Sequence, residues 1–398
     1  MKKSLLSNGI TLLVEKRPAN TANVLVTVKT GSNFESPKEK GVSHFVEHIL
    51  FEGTKTRSAI EITRAIEGIG GEIGAFTTNE EICFYVRVLP RHLATALDVL
   101  SDILKNPSFV DIEKERKIIL SEIRMKHDEP RFFQWELFMK TLFPNHPVGS
   151  PISGTLDTVA SITKEMIVDY YKKNFIANNM IVAYVGPNKG AEPLIKKFFS
   201  GLVPARKSLR KAFVFPARKN RSSTVLRNMS QSYLMFGFRT VARSNKDSYA
   251  LDVVRSLLGR GLSGRLVHEI RTKRALAYEV GCHHESDKKY GFFAVYLNTD
   301  KKSLPKCLQI IRQEIRGLNN ISPSELTEAK NFLEGEFVME TEDPQRYAVA
   351  ISLWEYFGLG TGLKAYVANI GRVRIADVKR VARKYLGKGY SLALVKQK

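Results

Sequence analysis

The chain has 398 residues, 43% of them hydrophobic and 26% charged, which is enough for two domains with separate cores and excludes a disordered polypeptide. No apolar run approaches the roughly 18 residues that a membrane-spanning helix needs. The net charge of +22 is lopsided, with 26 basic against 23 acidic residues in 1–200 and 36 against 17 in 201–398. That imbalance admits acidic peptides or nucleic acid as partners, but no RNP aromatics, zinc knuckle or KH-type loop accompanies it, so nucleic-acid binding is only a secondary reading.

The first residues, MKKSLLSNGITLLVEKRP, imitate a secretory signal, yet Asn8-Gly9 interrupts the apolar stretch and Glu15-Lys16-Arg17 ends it without a cleavage site. They read as two short strands around an Asn-Gly turn. Cys83, Cys282 and Cys307 are odd in number and lack CxxC spacing, which fits reduced thiols in a cytoplasmic setting.

Residues 41–53, GVSHFVEHILFEG, come next. On a helix His44 and His48 lie about 40° apart, with Glu47 on the same side. Phe45, Val46, Ile49, Leu50 and Phe51 make the segment apolar almost all round, so it is buried, and buried imidazoles and a carboxylate require compensation. Two histidines at i and i+4 can chelate one zinc ion, with the neighbouring glutamate free to hold water. The spacing is selective, since about one random chain in a hundred of this composition would contain it. The alternative is a pair of core histidines satisfied by backbone carbonyls.

A tetrahedral site with an open position needs a third protein ligand. The helix expected at 111–126, DIEKERKIILSEIRMK, offers Glu115 and Glu122, seven apart and nearly eclipsed, on a stripe with Ile112, Ile118 and Ile119. Carboxylates in an apolar stripe point inward, where a metal or a ligand histidine compensates them. Glu113 falls off the stripe and is expected in solvent. A solvated acidic helix face is the rival reading.

The chain then repeats itself. Residues 86–132 and 295–347 each read as strand, turn, amphipathic helix, break and long acidic helix, and the tails 169–186 and 380–395 each read as helix into strand, at an offset close to 210. The expected fold is therefore α+β: two homologous domains, each a mainly antiparallel sheet with helices packed on it. The boundaries expected are 1–202, a basic linker at 203–222, and 223–398. The second copy lacks the His-x-x-Glu-His pattern, and His268, His283 and His284 read as surface or strand positions without ligand spacing.

GVSHFVEHILFEGT (41–54) closely resembles the inverted zinc motif of the pitrilysin, insulysin and mitochondrial processing peptidase family, and the whole chain resembles a short two-domain prokaryotic-type member. NGITLLVEKRP (8–18) and HPVGSPISGT (146–155) resemble family segments too. The resemblance implies one zinc per chain held by His44, His48 and Glu122, with Glu115 supporting a ligand from behind. Glu47 would be the general base of peptide hydrolysis. LVHEIRTKRALAYEV (266–280) resembles the family's Arg and Tyr pair, implying that Arg271 and Tyr278 hold substrate and stabilise the tetrahedral intermediate. The strand at 72–77 is where family members add the peptide as an extra strand, which implies substrate contacts at Gly74, Ala75, Phe76 and Thr77. Three departures stand out: Gly74 where Asn is usual, Ile82 for Thr, and Ala275 for Gly beside the Arg/Tyr pair.

The resemblance implies a homodimer whose four domains enclose peptides or unfolded polypeptide segments; the thiols point to a cytoplasmic setting, and with no membrane-length apolar run no membrane partner is expected. The rival readings are a peptide-binding or assembly subunit without metal and a basic nucleic-acid-binding scaffold. Filled ligand positions argue against the first; the second explains only the linker. S-ribosylhomocysteinase shares a similar motif but is a single short domain.

Overall fold

The computed structural model describes residues 1–206 and 214–398. Its strands and helices follow the repeat. The first half runs β1 (Lys2–Leu5), β2 (Thr11–Lys16), β3 (Ala22–Val28), α1 (Val42–Ile49), α2 (Ala59–Glu67), β4 (Glu72–Thr77), β5 (Ile82–Val88), α3 (Leu93–Lys105) and α4 (Ile112–Asp128). It continues with α5 (Pro130–Leu142), α6 (Leu156–Ser161), α7 (Lys164–Asn174), β6 (Met180–Gly186) and α8 (Ala191–Phe199). The second half runs β7 (Arg221–Arg227), β8 (Ser232–Arg239), α9 (Asp247–Gly259), α10 (Arg265–Val267), β9 (Val280–Ser286), β10 (Gly291–Thr299), α11 (Leu304–Gly317) and α12 (Pro323–Glu342). It ends with α13 (Pro344–Tyr356), α14 (Tyr366–Gly371), α15 (Ile375–Tyr385) and β11 (Tyr390–Gln397). Equivalent elements keep the expected offset: β8 starts 232 − 22 = 210 residues after β3, and α12 starts 323 − 112 = 211 after α4.

Two sheets form, in the orders β1-β2-β6-β3-β5-β4 and β7-β11-β8-β10-β9. Among the described residues only β2–β6 and β7–β11 pair in parallel, so both sheets are mainly antiparallel, as the α+β reading expects. The N-terminal strands turn at Gly9, whose φ of 86° is the left-handed conformation an Asn-Gly turn requires.

The chain divides into two compact units that exchange a helix. The first comprises 1–125, the described residues of 150–213, and 340–356; the second comprises 126–149, 214–339 and 357–398. Thus α5 leaves the first half to pack on β8 and β11, and α13 leaves the second half to pack on β3 and β6. The expected cut at 202 falls after the last strand of the first sheet, whereas that at 223 falls inside β7, and neither follows the exchange of α5 and α13. Residues 207–213 of the expected linker lie outside the described residues.

The exchange explains two sequence patterns. β3, ANVLVTV, and β6, MIVAYVG, are buried at every residue because α13 covers the face that the remaining helices leave open. Thr27 on β3 meets Ser352 on α13 at 2.7 Å in that layer. In the second unit, Phe138, Leu142 and Phe143 of the α5 segment form an apolar layer with Met235, Phe292 and Ala393 of the sheet.

Candidate metal centre

Helix α1 is eight residues long, too short to hold itself together, and its position is set by what grips it. Val42, Phe45, Val46 and Ile49 lie in the core of the first unit. At its start, Glu35 accepts hydrogen bonds from the backbone N–H of Gly41 (3.1 Å) and Ser43 (2.8 Å) and from the Ser43 hydroxyl. These are donors that a helix N-terminus leaves unsatisfied. Gly41 has φ of 98°, and a Cβ there would lie 2.7 Å from the Ser153 carbonyl oxygen, so Ser153 and Gly154 close tightly on the helix entry.

His44 and His48 project from one face of α1 with ring centroids 4.6 Å apart. The facing side chain comes from α4. Glu122 Oε2 lies 3.7 Å from His44 Nε2 and 3.6 Å from His48 Nε2. One ligand atom from each of the three residues falls within 4.8 Å of the others. These separations are too long for hydrogen bonds. They match the edge of about 3.3–3.6 Å that a tetrahedron of ligands at zinc–ligand lengths would have. The donor set fits zinc.

Glu115, one heptad earlier on α4, is 4% exposed and its Oε2 lies 3.1 Å from His48 Nδ1. That contact leaves Nε2 of His48 aimed at the cluster, the supporting arrangement expected behind a ligand histidine. Burial pulls the His48 pKa down, but the neighbouring carboxylates of Glu122, Glu115 and Glu47 outweigh it, so it stands above the ordinary histidine value. Burial, opposed by His48, raises Glu115. The expected stripe on α4 is right for Glu115 and Ile119, and wrong for Ile118, which is 45% exposed. Glu113 faces solvent and pairs with Arg116 at 2.9 Å, as expected.

Glu47 accepts a hydrogen bond from the Thr77 hydroxyl at the end of β4. β4 is the last strand of its sheet and pairs only with β5. Among the four expected substrate residues, Ala75 packs against the core, Gly74 and Phe76 are half-buried on the opposite face, and Thr77 touches Glu47. That hydroxyl was not expected to serve the carboxylate. The two residues lie 30 apart on different elements, so no local pattern in sequence marks the contact.

Arg271 and Tyr278 belong to the second unit. The Arg271 guanidinium carbon lies 4.7 Å from the Tyr278 ring centre, and the tyrosine is 77% exposed. Arg271 stands in a short π-helical turn, His268–Thr272. Between the pair Ala275 has φ of 50°, a left-handed conformation natural to the glycine it replaces. His284 is not a surface residue: its Nδ1 lies 2.7 Å from Asp252, which is also held by Arg243 at 2.6 Å and Tyr366 at 3.2 Å. His283 meets Glu285 at 3.0 Å on β9. All three cysteines are free thiols.

A duplicated α+β chain with an inverted His-x-x-Glu-His helix and a glutamate on a second helix defines a class of zinc peptidase folds. Residues 10–156 match the model described as insulinase (peptidase family M16), and 161–333 match that of the peptidase M16 inactive domain. An uncharacterised zinc protease of Mycobacterium leprae is 31% identical over 99% of this chain and 91% of its own length. A similarly named protein of Bacillus subtilis is 29% identical over 99% and 98%. A protease from Helicobacter pylori superposes with a TM-score of 0.93 at 22% identity, covering 99% of both chains. The chain belongs to the insulinase (M16) peptidase family, in its two-domain form. No helix of the described residues is long and apolar enough to cross a membrane.

Proposed function

We propose that the protein is a zinc-dependent endopeptidase acting on oligopeptides or unfolded polypeptide segments, with one zinc per chain. The observation carrying this reading is the convergence of His44, His48 and Glu122, one helical turn from a carboxylate held at the end of an edge strand. Zinc, when bound, supplies Lewis-acid activation of water and of the scissile carbonyl. Glu47 accepts the proton of the attacking water and returns it to the leaving amine, so the peptide bond breaks with one water consumed. Thr77, donating to Glu47, orients that carboxylate. Glu115 fixes the ring of His48. A peptide added to the free edge of β4 runs past Glu47 without displacing any strand. Arg271 and Tyr278, from the second unit of the same chain or of a second copy, serve as donors to the developing oxyanion. The assembly is a homodimer enclosing its substrate.

The test is peptide turnover by the purified chain, with and without chelator, beside Glu47→Gln with its zinc content measured. Chelator-sensitive cleavage is expected in the wild type, and a variant that keeps zinc but loses about 10²–10⁴-fold in kcat. Near-normal turnover in the variant refutes Glu47 as the base. A fully active monomer in sedimentation refutes the dimer.

A further inference from the structure

β4 has two faces. Ile73, Ala75 and Thr77 point to the side of α1 and Glu47; Glu72, Gly74 and Phe76 point to the other. On that second face Gly74 stands directly across from Tyr85 of β5. The tyrosine ring folds over the glycine, so that a Cβ at Gly74 would lie 2.7 Å from the phenol oxygen and 2.8 Å from Cζ. The space of a residue-74 side chain is thus filled from the neighbouring strand. The phenol donates to Glu72 Oε1 at 3.1 Å, and burial, with Glu72, pushes its pKa above the usual tyrosine value, so it stays protonated. Donating its one hydrogen to Glu72 leaves its lone pairs as acceptors, one of them engaged by the Gln345 amide and one open to a further donor. Glu72 has no ion-pair partner among the described residues.

The ring-on-glycine packing recurs in the second unit, where a Cβ at Gly281 on β9 would lie 2.5 Å from the phenol oxygen of Tyr296 on β10. It is therefore a device of the fold for covering a glycine at a sheet edge. What is particular to β4 is that the phenol is tied to Glu72 of the edge strand itself, and that the same strand ends at Glu47.

The geometry points to Tyr85 as a specificity-determining residue: it forms a subsite on the far face of β4 that selects a substrate side chain able to donate a hydrogen bond. This rests on the peptidase reading with strand addition at β4. Paired residues of adjacent strands have Cβ atoms about 4.5–5.5 Å apart, so the substrate residue opposite Gly74 places its Cβ beside the phenol. An amide, hydroxyl or ammonium two or three bonds further out reaches the phenol oxygen and the Glu72 carboxylate. An apolar side chain of equal size shields the phenol and the carboxylate from water without adding a donor to either.

The experiment uses peptide pairs differing only in Gln against Met, or Thr against Val, scanned along the sequence. It compares the intact wild type with Tyr85→Phe, which keeps the ring over Gly74 and removes only the hydroxyl. Wild type should prefer the donor by about 3–10-fold in kcat/KM at one position, carried by KM, as one hydrogen bond would give. Tyr85→Phe should bring that ratio to about 1 with zinc content unchanged. Gly74→Ala, which drives the ring aside, should do the same. An undiminished preference in Tyr85→Phe overturns the assignment. Binding of the same peptides to Glu47→Gln, with and without Tyr85→Phe, is read by fluorescence anisotropy. If wild type cleaves nothing but this binding shows the Tyr85-dependent preference, the subsite stands and the peptidase reading falls. A chain that binds none of the peptides overturns both.

Discussion

Replacing Glu35 with glutamine tests how the metal-bearing helix is anchored. Glu35 is 5% exposed and accepts from Gly41 and Ser43 at the start of α1, with Lys40 Nζ 3.9 Å away. Burial raises its pKa from 4.5 to about 7, against the opposing pull of the Ser43 hydroxyl, the Lys40 charge and the two backbone N–H groups. The folded value exceeds the unfolded one, so the folded state favours the protonated acid. The resulting stability is fully present below pH 4.5 and is lost as pH rises through about 7. Integrating between pH 5 and pH 8 gives a loss of about 2.5 kcal/mol from this single group. Glutamine mimics the neutral acid at every pH. The difference in stability between Glu35→Gln and wild type should therefore move about 2.5 kcal/mol in the variant's favour over that range. In a unit of this size that is roughly 5–10 °C in Tm. Thermal unfolding of zinc-stripped samples at pH 5, 6, 7 and 8 reads it directly. Parallel curves for the two proteins would refute the claim that burial dominates the helix-end donors at Glu35.

Thr77→Val should lower kcat about 10-fold with zinc content unchanged, because Glu47 loses the donor that orients it. Glu115→Leu should weaken zinc binding about 10–100-fold in competition with a chromophoric chelator, since His48 loses the partner that fixes its ring. Ala275→Gly should stabilise the protein by roughly 0.5–1 kcal/mol, the relief of a left-handed alanine less the extra freedom of glycine when unfolded, whereas Ala275→Val should destabilise it. Chemical denaturation measures both.

The metal helix, the α4 carboxylates and the duplication are readable in sequence because each is a local pattern: a spacing on one helix, or the same order of elements met twice. What the sequence hides is non-local. Nothing in PRFFQWELFMKTL marks α5 as a helix that serves the other sheet, because its apolar residues are spread around the axis and suit any apolar face. Ile118 was misplaced because it lies off the Glu115–Glu122 heptad line by about 60° and faces out. His284 is a strand residue, as one of its two readings had it, but its pairing with Asp252 gave no signal because that partner lies 32 residues away on α9. Tyr85 over Gly74 depends on strand register, which hydrophobic pattern constrains only by face.

Register and offset also account for why, among the described residues, a duplicated chain offers its metal-ligand cluster in one unit and not the other. At the α4–α12 offset, Glu115 and Glu122 correspond to Leu326 and Leu333 (326 − 115 = 333 − 122 = 211), both buried. At 210, His44 and His48 correspond to Val254 and Leu258, both fully buried. The second unit thus fills with hydrocarbon the space in which the first holds two imidazoles and two carboxylates. Such polar groups are costly without a compensating cation, and a unit that binds none is better served by aliphatic packing of similar volume. Restoring the ligands in the second unit would require all four changes together, since any one alone buries an unpaired polar group at a cost of several kcal/mol. The same argument runs in reverse for the first unit. Its four polar side chains are a poor core for a protein without metal, and their retention on two separate helices is the physical reason to expect the cation there.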